Sequence, residues 1–177
     1  MSSVSVDPPR VLVAGVGNIF LGDDAFGVEV VQRLARRPLP EGVRVVDFGI
    51  RGLDLAYALL DGYEAVILVD AAPRGGVPGS LYVLEPELDP GRSPAEGAAL
   101  METHNMDPAR VFQLVTALGG EVERVMMVGC EPETTGSDED MPMEMSAAVK
   151  TAVEAGVGLV ESLVARLLSG EKFRPGV

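Results

Sequence analysis

The chain has 177 residues, 47% hydrophobic and 23% charged, a balance expected of one globular domain able to bury roughly two-thirds of its unfolded surface. Its 27 acidic against 14 basic residues give a net charge of −13, which argues against binding to nucleic acid or to anionic membrane surfaces. The lone Cys130 excludes an intramolecular disulfide, no run reaches the roughly 18 apolar residues of a membrane span, and the opening MSSVSVDPPR lacks a signal-peptide core, so a cytoplasmic protein is expected.

The elements alternate. Residues 11–16, VLVAGV, form a short apolar run that predicts a strand covered on both faces and ends in Gly15-Val16-Gly17. A helix is expected from about Asp23 to Arg36, with Phe26, Val30 and Leu34 at helical spacing and two acids in its first turn. VRVVDF, 43–48, reads as the second strand, followed by a short helix over 53–60. AVILVDAA, 65–72, is the third strand, a Gly/Pro-rich turn leads to a strand within SLYVLEP, and PELDPGRSPAEG reads as a loop. Asp107 and Pro108 open a helix whose apolar face is Val111, Leu114, Val115 and Leu118, stopped by Gly119-Gly120. RVMMVGC, 124–130, is the last strand, EPETTGSDED is expected to be a solvated loop that meets a partner, and a long helix is expected from about Pro142 to Leu168. This alternation predicts a three-layer α/β sandwich with a mostly parallel sheet, one domain over 1–177 with flexible tails at about 1–9 and 170–177.

Ligands of such folds bind beyond the carboxyl ends of the strands, where Asp24, Asp47 and Asp70 lie. Asp23 and Asp24 can be explained as stabilisers of a helix dipole, an effect of roughly 0.3–1 kcal/mol each. Asp70 is harder to explain structurally, because it ends an apolar strand where an unpaired carboxylate is costly to desolvate. Asp47 is equally readable as a loop-capping residue or as a functional carboxylate. His104 is the only histidine; a hydrogen-bonded helix-start residue is its ordinary role, but one imidazole and two carboxylates would suit a borderline divalent ion such as nickel or zinc. Gly15-Val16-Gly17 begins like a dinucleotide fingerprint, yet the next glycine is Gly22, and two acids occupy the place a pyrophosphate would take. As a buried strand-end thiol Cys130 is expected to be inert.

GVGNIFLGDDAFGVEVV, DFGIRG, ILVDAA, a histidine ahead of a helix, and MVGCEPE, taken in this order, resemble the hydrogenase maturation endopeptidases. The first block, G-x-G-N-x-x-x-x-D-[DE]-x-x-G, is filled by Gly15, Gly17, Asn18, Asp23, Asp24 and Gly27. The resemblance implies a five-stranded α/β sandwich that removes a C-terminal extension from the large-subunit precursor of a nickel-iron hydrogenase after nickel insertion. It further implies metal binding by Asp24, Asp70 and His104, a functional role for Asp47, nickel supplied by the precursor, a free enzyme without metal, and a monomer. Some relatives carry Glu at the position of Asp24, whose shorter reach calls for a water ligand or a different placement. Standard protease machinery is missing: there is no H-E-x-x-H, and Cys130 is the sole thiol. Two other readings remain from the residues themselves, a non-catalytic nickel-handling or nucleotide-binding module and a zinc peptidase acting on generic peptides.

Overall fold

The unbroken apolar run at 11–16 becomes β1 (Val11–Val16), buried at every position, as a central strand covered on both faces must be. A computed structural model of the protein describes residues 10–86, 108–133 and 142–170. Within them, β1 lies in a five-stranded sheet with β2 (Val43–Gly49), β3 (Ala65–Ala71), β4 (Leu81–Leu84) and β5 (Arg124–Cys130), in the order β2-β1-β3-β5-β4. All neighbours are parallel except the short edge strand β4, which runs antiparallel to β5.

Strand alternation divides the core in two. Val11, Val13, Ile67, Val69, Met126 and Val128 face α1 (Phe26–Leu34) and α4 (Ala147–Leu168). Leu12, Ala14, Val66, Leu68 and Val125 face α2 (Gly52–Leu59) and α3 (Pro108–Ala117). The three-layer sandwich expected from the sequence is thus what forms. Each fully buried aliphatic side chain in these layers contributes about 1.5–3 kcal/mol. Across the surface of the first layer, Arg33 and Arg37 of α1 pair with Glu154 and Glu161 of α4, exposed contacts of modest value.

The packing of α1 on the sheet depends on one residue without a side chain. A Cβ at Gly27 would stand 2.0 Å from the Val69 carbonyl oxygen and 2.4 Å from that of Val16, so the first turn of the helix rests on the backbones of β1 and β3 where both strands end. This close seat brings the chain between β1 and α1 over the carboxyl edge of the sheet.

Three expectations change. The segment expected to open helix 1 is instead a 3₁₀ turn, Gly22–Ala25, and the α-helix begins at Phe26. The last helix starts at Ala147 rather than near Pro142, because Ser146 adopts an extended backbone and its hydroxyl accepts the Val149 N–H. The acidic stretch after β5 is not solvated throughout: Glu131 is buried. The tails at 1–9 and 171–177, the loop at 87–97 and His104 lie outside the described residues. Among those described, no helix is long and apolar enough to cross a membrane.

Gly27→Ala should cost about 3 kcal/mol or more in urea unfolding, because carbonyl oxygens of two central strands cannot step aside as a side chain can. A loss below about 1 kcal/mol would show that α1 can lift from the sheet.

Candidate functional site

The chain leaves β1 for β2 on one side and returns to β3 on the other, so the strand order reverses between β1 and β3. In open parallel sheets such a reversal leaves a crevice at the carboxyl ends of the two strands. The ends meeting here are Gly15-Val16-Gly17 of β1 and Asp70 of β3, with Gly15 paired to Val69.

Gly17 turns the chain with φ of +140°, and a Cβ there would stand 1.9 Å from the Asp24 carbonyl oxygen. The loop can therefore fold back on the 3₁₀ turn. Asn18 donates its N–H to Asp24 Oδ2 at 2.7 Å, and its own side-chain oxygen accepts the Phe20 N–H at 2.9 Å. The backbone donor that a dinucleotide phosphate would seek is thus taken by a carboxylate of the protein.

The two adjacent acids of the turn do different work. Asp23 is 2% exposed, and its carboxylate accepts the Glu133 N–H at 2.8 Å, the Ser146 N–H at 2.7 Å and the Ser146 hydroxyl at 3.0 Å. It joins the 3₁₀ turn to the N-terminus of α4, a structural role the sequence reading did not assign. Asp24, half-buried, lies close enough to Asp70 for the two charges to repel.

Asp70 is the anomaly of the site. Burial, with the neighbouring Asp24 charge adding to it, pushes its carboxyl well above the ordinary carboxylate range, and the Ala71 N–H only partly opposes this. Its Oδ1 is buried with no hydrogen-bond partner. Buried polar atoms are nearly always paired, so an orphan acceptor beside a second carboxylate has donor chemistry that fits a cation. Among the described residues no third His, Cys, Asp or Glu completes a metal-binding group.

Asp47 stands apart. It pairs with Gly15 on the far side of β1 from β3, two strand spacings or about 10 Å from β3. It shares the α1-facing side with Val43 and Val45, whereas Asp70 follows Val66 and Leu68 toward α2 and α3. Gln32 of α1 donates to its Oδ2 at 3.2 Å. The structure therefore brings Asp24 and Asp70 together, and sets Asp47 beside α1.

Behind the crevice, Glu131 is 4% exposed and its carboxylate accepts the N–H groups of Arg74 at 2.8 Å and Gly75 at 3.1 Å. Burial alone would raise its carboxyl; these donors, with the Tyr82 hydroxyl and the Gly76 N–H, hold it below the usual range. Tyr82 is pushed up to about 12 by its burial and by the Glu131 charge. The thiol of Cys130, fully buried, is raised to about 11 by burial and then by Asp23 and Glu131, so it remains protonated and is not a nucleophile.

A family model described as hydrogenase maturation protease matches residues 28–163, starting just after the glycine and aspartate block. The hydrogenase expression/formation protein HupD of Rhodobacter capsulatus is 36% identical over 126 residues, 71% of this chain. The chain spans 58% of the length of that relative. The hydrogenase maturating endopeptidase HybD from E. coli superposes with a TM-score of 0.68 at 29% identity, covering 91% of this chain and 94% of that one. A hydrogenase 2 maturation peptidase from a Thaumarchaeota archaeon gives 0.65 at 33% identity, covering 88% and 98%.

Because the Asp70 carboxyl is raised in the folded state, its ionisation opposes folding: stability falls as pH rises from the unfolded carboxylate value through the folded one. Asp70→Asn should therefore raise Tm by a few degrees at pH 8, with the gain vanishing toward pH 4; a pH-independent difference would mean that the carboxyl is not strained. Cys130 in the native protein should resist alkylation at pH 8 and react only on unfolding; labelling without unfolding would contradict its burial.

Proposed function

The chain belongs to the hydrogenase maturation protease family, and from that premise we propose that it is an endopeptidase that removes the C-terminal extension of a nickel-iron hydrogenase large-subunit precursor once nickel is in place. The observation that carries the reading is the buried, orphan Oδ1 of Asp70 beside Asp24, at the crevice where the strand order reverses.

On this proposal nickel arrives as part of the substrate. Asp24 and Asp70 hold it from one side, and His104, which precedes α3 by four residues in sequence, is the third donor carried over from the resemblance. The mixed nitrogen and oxygen set is suited to a borderline divalent ion. Nickel would supply a Lewis acid that polarises a water or the scissile carbonyl.

The chain's own residues do the rest. Two carboxylates whose charges repel each other form a site that a cation would relieve, so binding would discriminate a loaded precursor from an unloaded one. Asn18 fixes the Asp24 carboxylate by its N–H, so Asp24 presents a set orientation. Asp47, hydrogen-bonded to Gln32 on the α1 side of the sheet, takes no part in holding the metal. The protonated thiol of Cys130 supports a hydrolysis that passes through no thioester on the enzyme.

Intact-mass spectrometry of nickel-loaded and nickel-free precursor incubated with the protein tests this. Loss of a C-terminal fragment is expected only with nickel, and Asp70→Asn or His104→Ala should lower the rate at least 100-fold, about the effect of losing a metal ligand or its orientation. Equal cleavage of both precursors would overturn recognition through nickel, and no cleavage of a verified loaded precursor would overturn the peptidase reading.

A further inference from the structure

Asp24 and Asp70 come from separate segments and repel each other, so something other than their mutual contact must set the gap between them. The candidate is the stretch where the chain leaves β5, Glu131 to Glu133. On one side, the Glu131 carboxylate gathers the Arg74 and Gly75 N–H groups at 2.8 and 3.1 Å. The Tyr82 hydroxyl lies 3.1 Å from Glu131 Oε2 and also reaches the carbonyl of Ala72, two residues beyond Asp70. The backbone repeats the connection: Ala72 donates its N–H to the Cys130 carbonyl at 3.0 Å, and Gly79 to that of Glu131 at 2.8 Å. On the other side, the Glu133 N–H donates to Asp23 Oδ2 at 2.8 Å, and Asp23 is bonded in the chain directly to Asp24.

We propose that Glu131 and Asp23 are positioning residues: through them the β5 exit braces both the strand end that carries Asp70 and the turn that carries Asp24, and so sets their separation. The inference rests on the reading of Asp24 and Asp70 as the groups that meet the precursor's metal. Both braces are short and partly buried: Asp23 adjoins Asp24 directly, while the Glu131 carboxylate holds the backbone at Arg74 and Gly75, four and five residues beyond Asp70, and reaches Ala72 through the Tyr82 hydroxyl. A shared brace also explains why buried acids occur where apolar residues would be easier to accommodate. A carboxylate can collect two or three N–H donors from a neighbouring loop, and an apolar side chain can collect none.

The test compares Asp23→Asn and Glu131→Gln with Val164→Ala. Val164 is a core residue in α4 about 27 Å along the helix from Ser146, so its truncation lowers stability without touching the crevice. Cleavage of nickel-loaded precursor is followed by intact mass, and amide exchange is measured at Asn18 and Ala72 against Val13 and Ile67. In both variants kcat should fall about 10–100-fold with KM within about threefold, and the Asn18 or Ala72 amide should exchange about tenfold faster relative to the core. Val164→Ala should speed all four amides alike and spare kcat.

If kcat falls without the local exchange, or the exchange appears without a fall in kcat, the proposal is overturned. If the wild-type protein itself leaves loaded precursor intact, the peptidase reading fails, and the exchange comparison alone decides whether the brace exists. Should Asp23→Asn not fold, Glu131→Gln alone carries the comparison, because Ser146→Ala would remove the α4 N-cap together with the hydroxyl partner of Asp23.

Discussion

Negative charge withheld from water is the constraint on which this structure turns. Two carboxylates, Asp23 and Glu131, are buried at or behind the carboxyl edge of the sheet, and one oxygen of a third, the half-buried Asp70, is sealed from solvent, in a chain that already carries a net charge of −13. Asp23 and Glu131 are each compensated by several N–H or O–H donors, and they act as joints between segments. Asp70 has an oxygen with no donor at all. The difference separates architecture from chemistry: where the protein satisfies a buried acid it is using the acid to hold itself together, and where it does not, a ligand can complete the set.

That arrangement requires backbone at close quarters. Gly27 lets α1 rest on the ends of β1 and β3, and Gly17 lets the loop fold onto the turn that bears both aspartates. With the backbone this near, Asp24 and Asp70 approach each other although the core beneath them is wholly apolar. Stability and site are therefore opposed at Asp70 and allied at Asp23, two residues of identical chemistry.

The layers were legible because burial on both faces leaves an unmistakable trace: 11–16, 65–71 and 124–130 are apolar runs, and each became a strand with nearly the expected bounds. The edge position and antiparallel direction of β4 were not, since four half-buried residues carry no such trace. Nor could Asp23 be told from Asp24. Their roles are decided by Glu133 and Ser146, more than a hundred residues further along, and no local pattern records so distant a partner. Glu131 misled for the same reason, looking like the start of an acidic loop until the N–H groups at 74 and 75 were placed against it. At α4 two rules competed: Pro142 offered a helix start, and the Ser146 cap prevailed. Asp24 and Asp70 were singled out by position and by the resemblance, and they lie near enough for the charge of one to act on the other, while Asp47, placed by the same rule, faces the other layer.

Cys130, the chain's one sulfhydryl, is sealed inside the α1–α4 layer. A reachable thiolate would be a soft donor, prone to strip a transition metal from whatever carries it and to be oxidised in the attempt. With the thiol out of reach, the function proposed above would meet its metal through the hard oxygens of Asp24 and Asp70 and one imidazole, donors that grip a borderline metal more loosely than a thiolate and let it go. On that proposal, such a surface would inspect a metal without competing for its ownership.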